Sequence, residues 1–307
     1  MTEYLPEGRI INTRQNKHYL STLHNLETAM RENIILEAPC LMCDTQHDLL
    51  VDLPCAKGII QRNEGAIGID DGSTRDIALI SRVSKPVCFY VTDIDKSKDE
   101  PVALLSRKKA QLSAMENYVA HLKNGDIIPA RVTHMEQFGC FVDIGCGIPS
   151  MIPIDSISVS RITHPSDRFY IGQDILAVVK GRDKDKICLT HKELLGTWKE
   201  NAGRFSVGET VSGIVRSIED YGIFVELAPN LAGLAELKEG VRVGDHACVY
   251  IKAIIPEKMK VKLIIVSSCP DSCIEREPDY FIKQGNIKSW LYSTDNAPKF
   301  IASHFTE

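Results

Sequence analysis

From residue 34 onward the chain alternates short apolar runs with clusters of Asp, Gly, Ser, Lys and Thr. Runs rich in Val, Ile, Leu and Phe that stop at such clusters follow the pattern of β-strands; a helix would space its apolar residues three and four apart. The runs fall into three groups: 34–42, 49–53, 58–61, 77–80, 87–94 and 102–105; then 127–135, 140–144, 151–154, 175–181 and 187–190; then 213–215, 223–227, 233–237, 247–254 and 261–266. Five or so strands in so short a span fit a small closed barrel better than an open sheet, because closure removes the unpaired edges. The pattern predicts a mainly β chain of tandem five-stranded barrels joined by short helices.

Helical spacing occurs between the groups and ahead of them. Tyr19, Leu20, Leu23, Leu26 and Met30 predict an N-terminal helix, with Ser21 and Thr22 as polar starts. Leu112, Met115, Val119 and Leu122 make an apolar stripe on a connector that Asn124 and Gly125 end, and 191–202 reads as a second connector. The expected organisation is a helical lead-in (1–33), a degenerate barrel (34–107), a connector helix (108–124), a second barrel (125–192), a connector helix (193–205), a trimmed third barrel (206–267) and a tail (268–307). The polar excursion at 156–170, with Arg161, His164 and Arg168, shrinks to 238–242 in the third barrel. The tail carries Tyr280, Phe281, Trp290, Tyr292, Phe300 and Phe305, a density that predicts packing, with the last barrel as the expected surface.

One unit recurs. Phe138-Gly-Cys-Phe-Val-Asp-Ile144 returns as Tyr221-Gly-Ile-Phe-Val-Glu-Leu227 and, degraded, as His47-Asp-Leu-Leu-Val-Asp-Leu53. A period of about 80 to 90 residues is too long for a solenoid and gives each copy its own core. Residues three apart on a plain strand point to opposite faces, so Phe138 and Phe141 share a surface only if Gly139 admits a turn or bulge. Two rings on one wall would make a stacking platform; the alternative for each ring is core packing.

The formal net charge is −5, which is unusual for a protein that simply coats nucleic acid. Residues 124–200 carry about nine basic and ten acidic side chains, and 204–267 about eight of each, so any nucleic-acid affinity must lean on stacking and local patches. No apolar run approaches the roughly 18 residues of a membrane helix, and the first residues lack a signal-peptide pattern, so a cytoplasmic protein is expected. The 10 cysteines are spread over every segment and argue against a disulfide framework. Cys40 and Cys43 with His47, and Cys269 with Cys273, are partial zinc spacings without a matched second pair, so neither metal nor cofactor is expected. No phosphate-cradling glycine loop or nucleophile motif stands at a strand-to-helix step, which predicts a non-catalytic protein.

The second and third groups resemble the S1 RNA-binding module, an OB-fold barrel named for bacterial ribosomal protein S1. The likeness rests on Gly125-Asp-Ile, Val132, 138–144, 150–153, 171–174 and 187–192, and in the third group on 207–209, Gly213, 221–227, Gly233-Leu234 and 243–245. The first group is similar more weakly, through 50–53, 58–60 and 102–107. This resemblance implies single-stranded RNA (mRNA) as partner, with Phe138 and Phe141, and Tyr221 and Phe224, stacking on bases. It also implies an acidic and basic pair near the last hairpin, matched approximately by Asp183 and Lys186, while the family's frequent histidine is replaced by Pro153 and Ala235. Arg131, Lys180 and Arg182 are the candidates to hold the RNA backbone. The first barrel has His47 and Leu50 where the rings should be and Asp48 for the glycine, so residues 1–120 are expected to face a partner, for which the resemblance suggests the small ribosomal subunit. Three readings stay open: an RNA-binding protein assisting mRNA binding in translation, an RNA-decay or regulatory accessory, and a protein-interaction scaffold.

Overall fold

A computed structural model of the chain describes residues 4–97, 99–183, 186–270 and 277–306. Three closed five-stranded barrels follow one another. The first is built from β1 (Leu36–Cys43), β2 (Leu49–Leu53), β3 (Ala56–Ile60), β4 (Pro86–Asp95) and β5 (Val102–Ser106), and the second from β6 (Ile127–Glu136), β7 (Gly139–Asp143), β8 (Pro149–Pro153), β9 (Asp174–Asp183) and β10 (Lys186–Thr190). The third comprises β11 (Thr210–Glu219), β12 (Gly222–Ala228), β13 (Leu231–Ala235), β14 (His246–Ile255) and β15 (Lys260–Cys269). Each closes in the same cyclic order, first, second, third, fifth, fourth, with the third and fifth strands parallel. Alternation explains the cores: in β10, Ile187 and Leu189 point in while Lys186 and Cys188 point out.

The chain forms two compact units: Met1–Leu122 with Pro129–Arg131 and Asp143–Pro149, and the remainder from Lys123 onward. In the first, α1 (Arg14–Leu20) and α2 (Leu23–Arg31) stand where one helix is expected. Thr13 and Thr22 cap them, each hydroxyl accepting from the backbone N–H three residues on. The side-chain amide of Asn16 pairs with both backbone groups of Glu37 at 2.8 and 2.9 Å, in the manner of a neighbouring strand. Residues 77–80, expected as a strand, are the short helix α3 (Ile77–Ile80); four consecutive apolar residues carry no period that separates strand from helix.

The connector α4 (Arg107–Asn117) also departs from expectation. Its buried face is Arg107, Ala110, Gln111 and Ala114, whereas Leu112 is 49% exposed. Arg107 selects this face. Its guanidinium meets the Glu7 carboxylate at 2.6 and 3.0 Å, with Arg82 completing the pairing at 3.3 Å. Burial alone would raise the Glu7 pKa, but the two guanidiniums hold it below the usual range. The Glu7 N–H donates to Asp143, which also accepts from Gly145 and Gly147.

In the second unit the connector after the second barrel is a 3-10 turn, Lys192–Leu195, followed by α5 (Trp198–Ala202), which starts with a Thr197 and Glu200 capping box. The tail packs as expected through buried Trp290, Tyr292 and Phe305, although Phe300 remains exposed. It reaches both barrels of this unit: Tyr292 donates to the Asn230 carbonyl at 2.6 Å, and Ile127 N–H donates to the Gly285 carbonyl at 3.1 Å. A short ladder, β16 (Ser289–Leu291) with β17 (Ala302–His304), stiffens it. The excursion of the second barrel inserts Asp167 and Arg168 against Arg216 and Glu226 of the third, at 3.1 and 2.5 Å.

Candidate nucleic-acid interface

Both ring pairs form where a turn hands over to the second strand of a barrel. Phe138 belongs to the turn before β7, and Phe141 lies within β7. The turn residue is outside the strand ladder, so alternation does not constrain it. The two rings meet edge to face, 5.9 Å between centroids at 88°. Tyr221 and Phe224 repeat the arrangement at 6.0 Å and 89°. Edge-to-face packing is favoured by the ring quadrupoles, and it leaves the outer rings in solvent: Phe138 is 57% exposed and Tyr221 69%.

The glycine between each pair serves close approach. A Cβ on Gly139 would lie 2.6 Å from the Ile152 carbonyl oxygen, and one on Gly222 would lie 2.5 Å from that of Ala235, where φ is also +148°. In the first barrel the corresponding Asp48 accepts from the Arg62 N–H at 2.7 Å, and His47 sits in the turn at φ +65°. The row running Met42, Leu50, Ile59, Leu104 across that barrel is aliphatic throughout.

A third ring joins the pair in the second barrel. His134 on β6 lies 6.1 Å from Phe141 at 29°, nearly stacked, with its Nε2 2.7 Å from Glu136. Sequence reasoning missed it. Alternation gave no signal for it: the buried Ile128, Ala130 and Val132 share its parity and would turn it inward, yet the alternation breaks after Val132 and His134 is exposed. Ser217 stands opposite Phe224 at the matching place in the third barrel, so that platform has two rings.

The candidate phosphate contacts divide. Asp183 and Lys186 face each other as the terminal pair of β9 and β10, Arg182 lies opposite Ile187, and all three of these charged residues are exposed. Lys180 occupies a bulge, since Cys188 pairs with Gly181 and Leu189 with Val179. The same slip leaves Lys252 unpaired in the third barrel and Thr92 in the first, and a bulge re-aims its side chain. Arg131 makes a contact of another kind: its Nη1 donates to the Glu7 carbonyl at 2.9 Å, which ties it to the N-terminal segment. Arg168 likewise is committed to Glu226.

Of the partial zinc spacings, the buried Cys40 thiol donates to the Met42 carbonyl, Cys269 is exposed, and Cys273 lies outside the described residues. Among the described residues no three His, Cys, Asp or Glu side chains form a metal-binding group, and no helix is long and apolar enough to cross a membrane.

Residues 121–192 match the S1 RNA binding domain. Small ribosomal subunit protein bS1 of Staphylococcus aureus (strain COL) is 29% identical over 194 residues, covering 57% of this chain and 49% of its own length. The bS1 protein of Rhizobium meliloti (strain 1021) is 28% identical over 196 residues, covering 62% of this chain and 33% of its own. The chain thus spans half or less of the curated relatives it matches. A solved multidomain protein with nucleic acid binding domains from Streptococcus pneumoniae aligns over 76% of the chain at 13% identity and a TM-score of 0.25, too slight a likeness to bear on the fold.

Proposed function

We propose that this protein is a non-catalytic, cytoplasmic single-stranded RNA-binding protein that assists mRNA binding on the small ribosomal subunit. The observation that carries the reading is the doubled platform: two edge-to-face ring pairs, each an exposed outer ring on a half-buried inner one, at equivalent turns of two barrels, one of them inside the S1 domain match. Stacking contributes about 1–3 kcal/mol per base and tolerates any base, so it works in a chain of net negative charge and gives low sequence selectivity. Lys180, Arg182 and Lys186, with Asp183 shaping the hairpin end, would hold the backbone beside the second platform. Arg131 is reassigned to positioning the N-terminal segment. The first barrel, with neither the ring pair at its second strand nor a lysine at the bulge, is the part proposed to face the ribosome.

Fluorescence anisotropy of a labelled RNA of about 12 nucleotides tests the reading. The Phe141→Ala, Phe224→Ala double variant, shown by circular dichroism to be folded, should bind at least about 1 kcal/mol more weakly than the parent, with a shallow salt slope in both. Indistinguishable titrations would make the rings structural and leave a protein-binding scaffold as the better account. Co-sedimentation of the same variant with vacant small subunits tests the partner: it should persist at the parental level.

A further inference from the structure

The fourth strand of every barrel has ten residues, and its fifth residue marks a difference between them. Tyr90 and Val178 occupy that place in the first and second barrels and are buried. Lys109 of α4 lies over the Tyr90 ring, and Val178 belongs to the apolar cluster that includes Leu194 and Trp198. In the third barrel the place is held by Tyr250, 38% exposed, with Thr210 and Ile264 as its ladder partners.

Charge on this ribbon is one-sided. Strands β14 and β15 contain Lys252, Lys260 and Lys262 and no carboxylate, in a chain whose 41 acidic residues outnumber its 36 Lys and Arg. All three lysines are exposed, and Lys252 is the residue re-aimed by the bulge. The ladder links the ribbon to the ring pair: Phe224 pairs with Leu234, Leu234 with Lys262, and two residues further along β15 Ile264 pairs with Tyr250. At about 4.8 Å per strand, Lys262 lies roughly 10 Å from the Phe224 position. An exposed ring with lysines on either side of the crossing and no acid on either strand, Glu257 lying in the turn that joins them beside Lys258, suits a polyanion with flat bases better than an apolar partner.

Building on the RNA-binding reading, we propose that the β14–β15 ribbon extends the third barrel's RNA track, with Tyr250 as its third stacking ring and Lys252 and Lys262 as phosphate contacts. The third barrel thereby gains at its fourth strand the ring that the second carries as His134 on its first.

The test uses the full chain with Phe138→Ala and Phe141→Ala as parent, so that the third barrel dominates. Binding of a labelled 12-nucleotide RNA is compared for Tyr250→Leu, Tyr250→Phe, the Lys252→Ala, Lys262→Ala pair, and Phe224→Ala as reference. Tyr250→Leu should lose at least about 5-fold in affinity, and Tyr250→Phe, which keeps the ring, should bind as the parent does. The lysine pair should flatten the slope of log K against log salt by about 1.4. Parental binding by a folded Tyr250→Leu, with Phe224→Ala weakened, overturns the extension and leaves the ring pair standing. If Phe224→Ala is also unchanged, or the unsubstituted chain does not bind, the RNA reading fails and the extension with it.

Discussion

A histidine nearly stacked on a phenylalanine gives the second barrel a flat surface wider than the recurring aromatic pair alone. His134→Ala removes one π face and should weaken RNA binding by about 1 kcal/mol, while His134→Phe should restore it, both read by anisotropy. The glycines beside the rings make a stability prediction. Ala at 139 drives a Cβ into the Ile152 carbonyl, and neither backbone can yield without disturbing a ladder, so Gly139→Ala should cost about 1–3 kcal/mol in urea unfolding. Gly222→Ala meets the same obstruction and adds the strain of its positive φ, so it should be the worse of the two.

At the scale of elements, the apolar runs of the sequence other than 77–80 correspond to the strands of all three barrels to within a few residues, because burial on one face imposes a period that can be read locally. The ring pairs were legible for another reason, the recurrence of 138–144 as 221–227. What was not legible depends on partners far along the chain. Glu7 gives no local hint that it will meet Arg107, and Leu112 looks like the buried residue of α4 until Arg107 turns the helix. The bulge lysines appear only when two strands are set in register. Glu37 belongs to this class and governs a pH effect. Its carboxylate accepts from the Ile10 and Ile11 N–H groups, and burial, with the Glu7 charge second, pushes its pKa up to about 7. An unfolded glutamate titrates near 4.3, so the folded state holds the extra proton between those values. The contribution of Glu37 is therefore fully present below about pH 4 and is lost as pH rises through about 7. Glu37→Gln keeps an acceptor for both N–H groups without the charge. Its unfolding free energy, followed through the thermal midpoint, should rise relative to the parent between pH 5 and 8, by an amount on the order of 1–3 kcal/mol; a constant difference across that range would remove the titration from the account.

At the scale of the whole molecule, both platforms belong to one compact unit, and Glu226 links their two barrels. It accepts from Arg168 of the second barrel and Arg216 of the third, and its side chain is 5% exposed. Removing one member of a buried pair costs about 3–5 kcal/mol, because the remaining charges lose their compensation. Both tryptophans of the chain, Trp198 and Trp290, lie in this unit, so intrinsic fluorescence reports its unfolding. Glu226→Ala should bring that transition to lower urea. The functional consequence follows from effective concentration: when one platform holds a strand, the other sees it as an intramolecular ligand, and fixed spacing makes the gain largest for RNAs long enough to reach both. Affinity should therefore step upward as the RNA grows past the length that spans the two platforms, and Glu226→Ala, measured at a urea-free temperature where it remains folded, should shrink the step while leaving short-RNA binding unchanged. A variant that loses short and long RNAs in equal proportion would show that Glu226 supports the third barrel alone; an unaltered step would show that the remaining contacts, Asn230 with Val159 and the tail among them, suffice to hold the spacing.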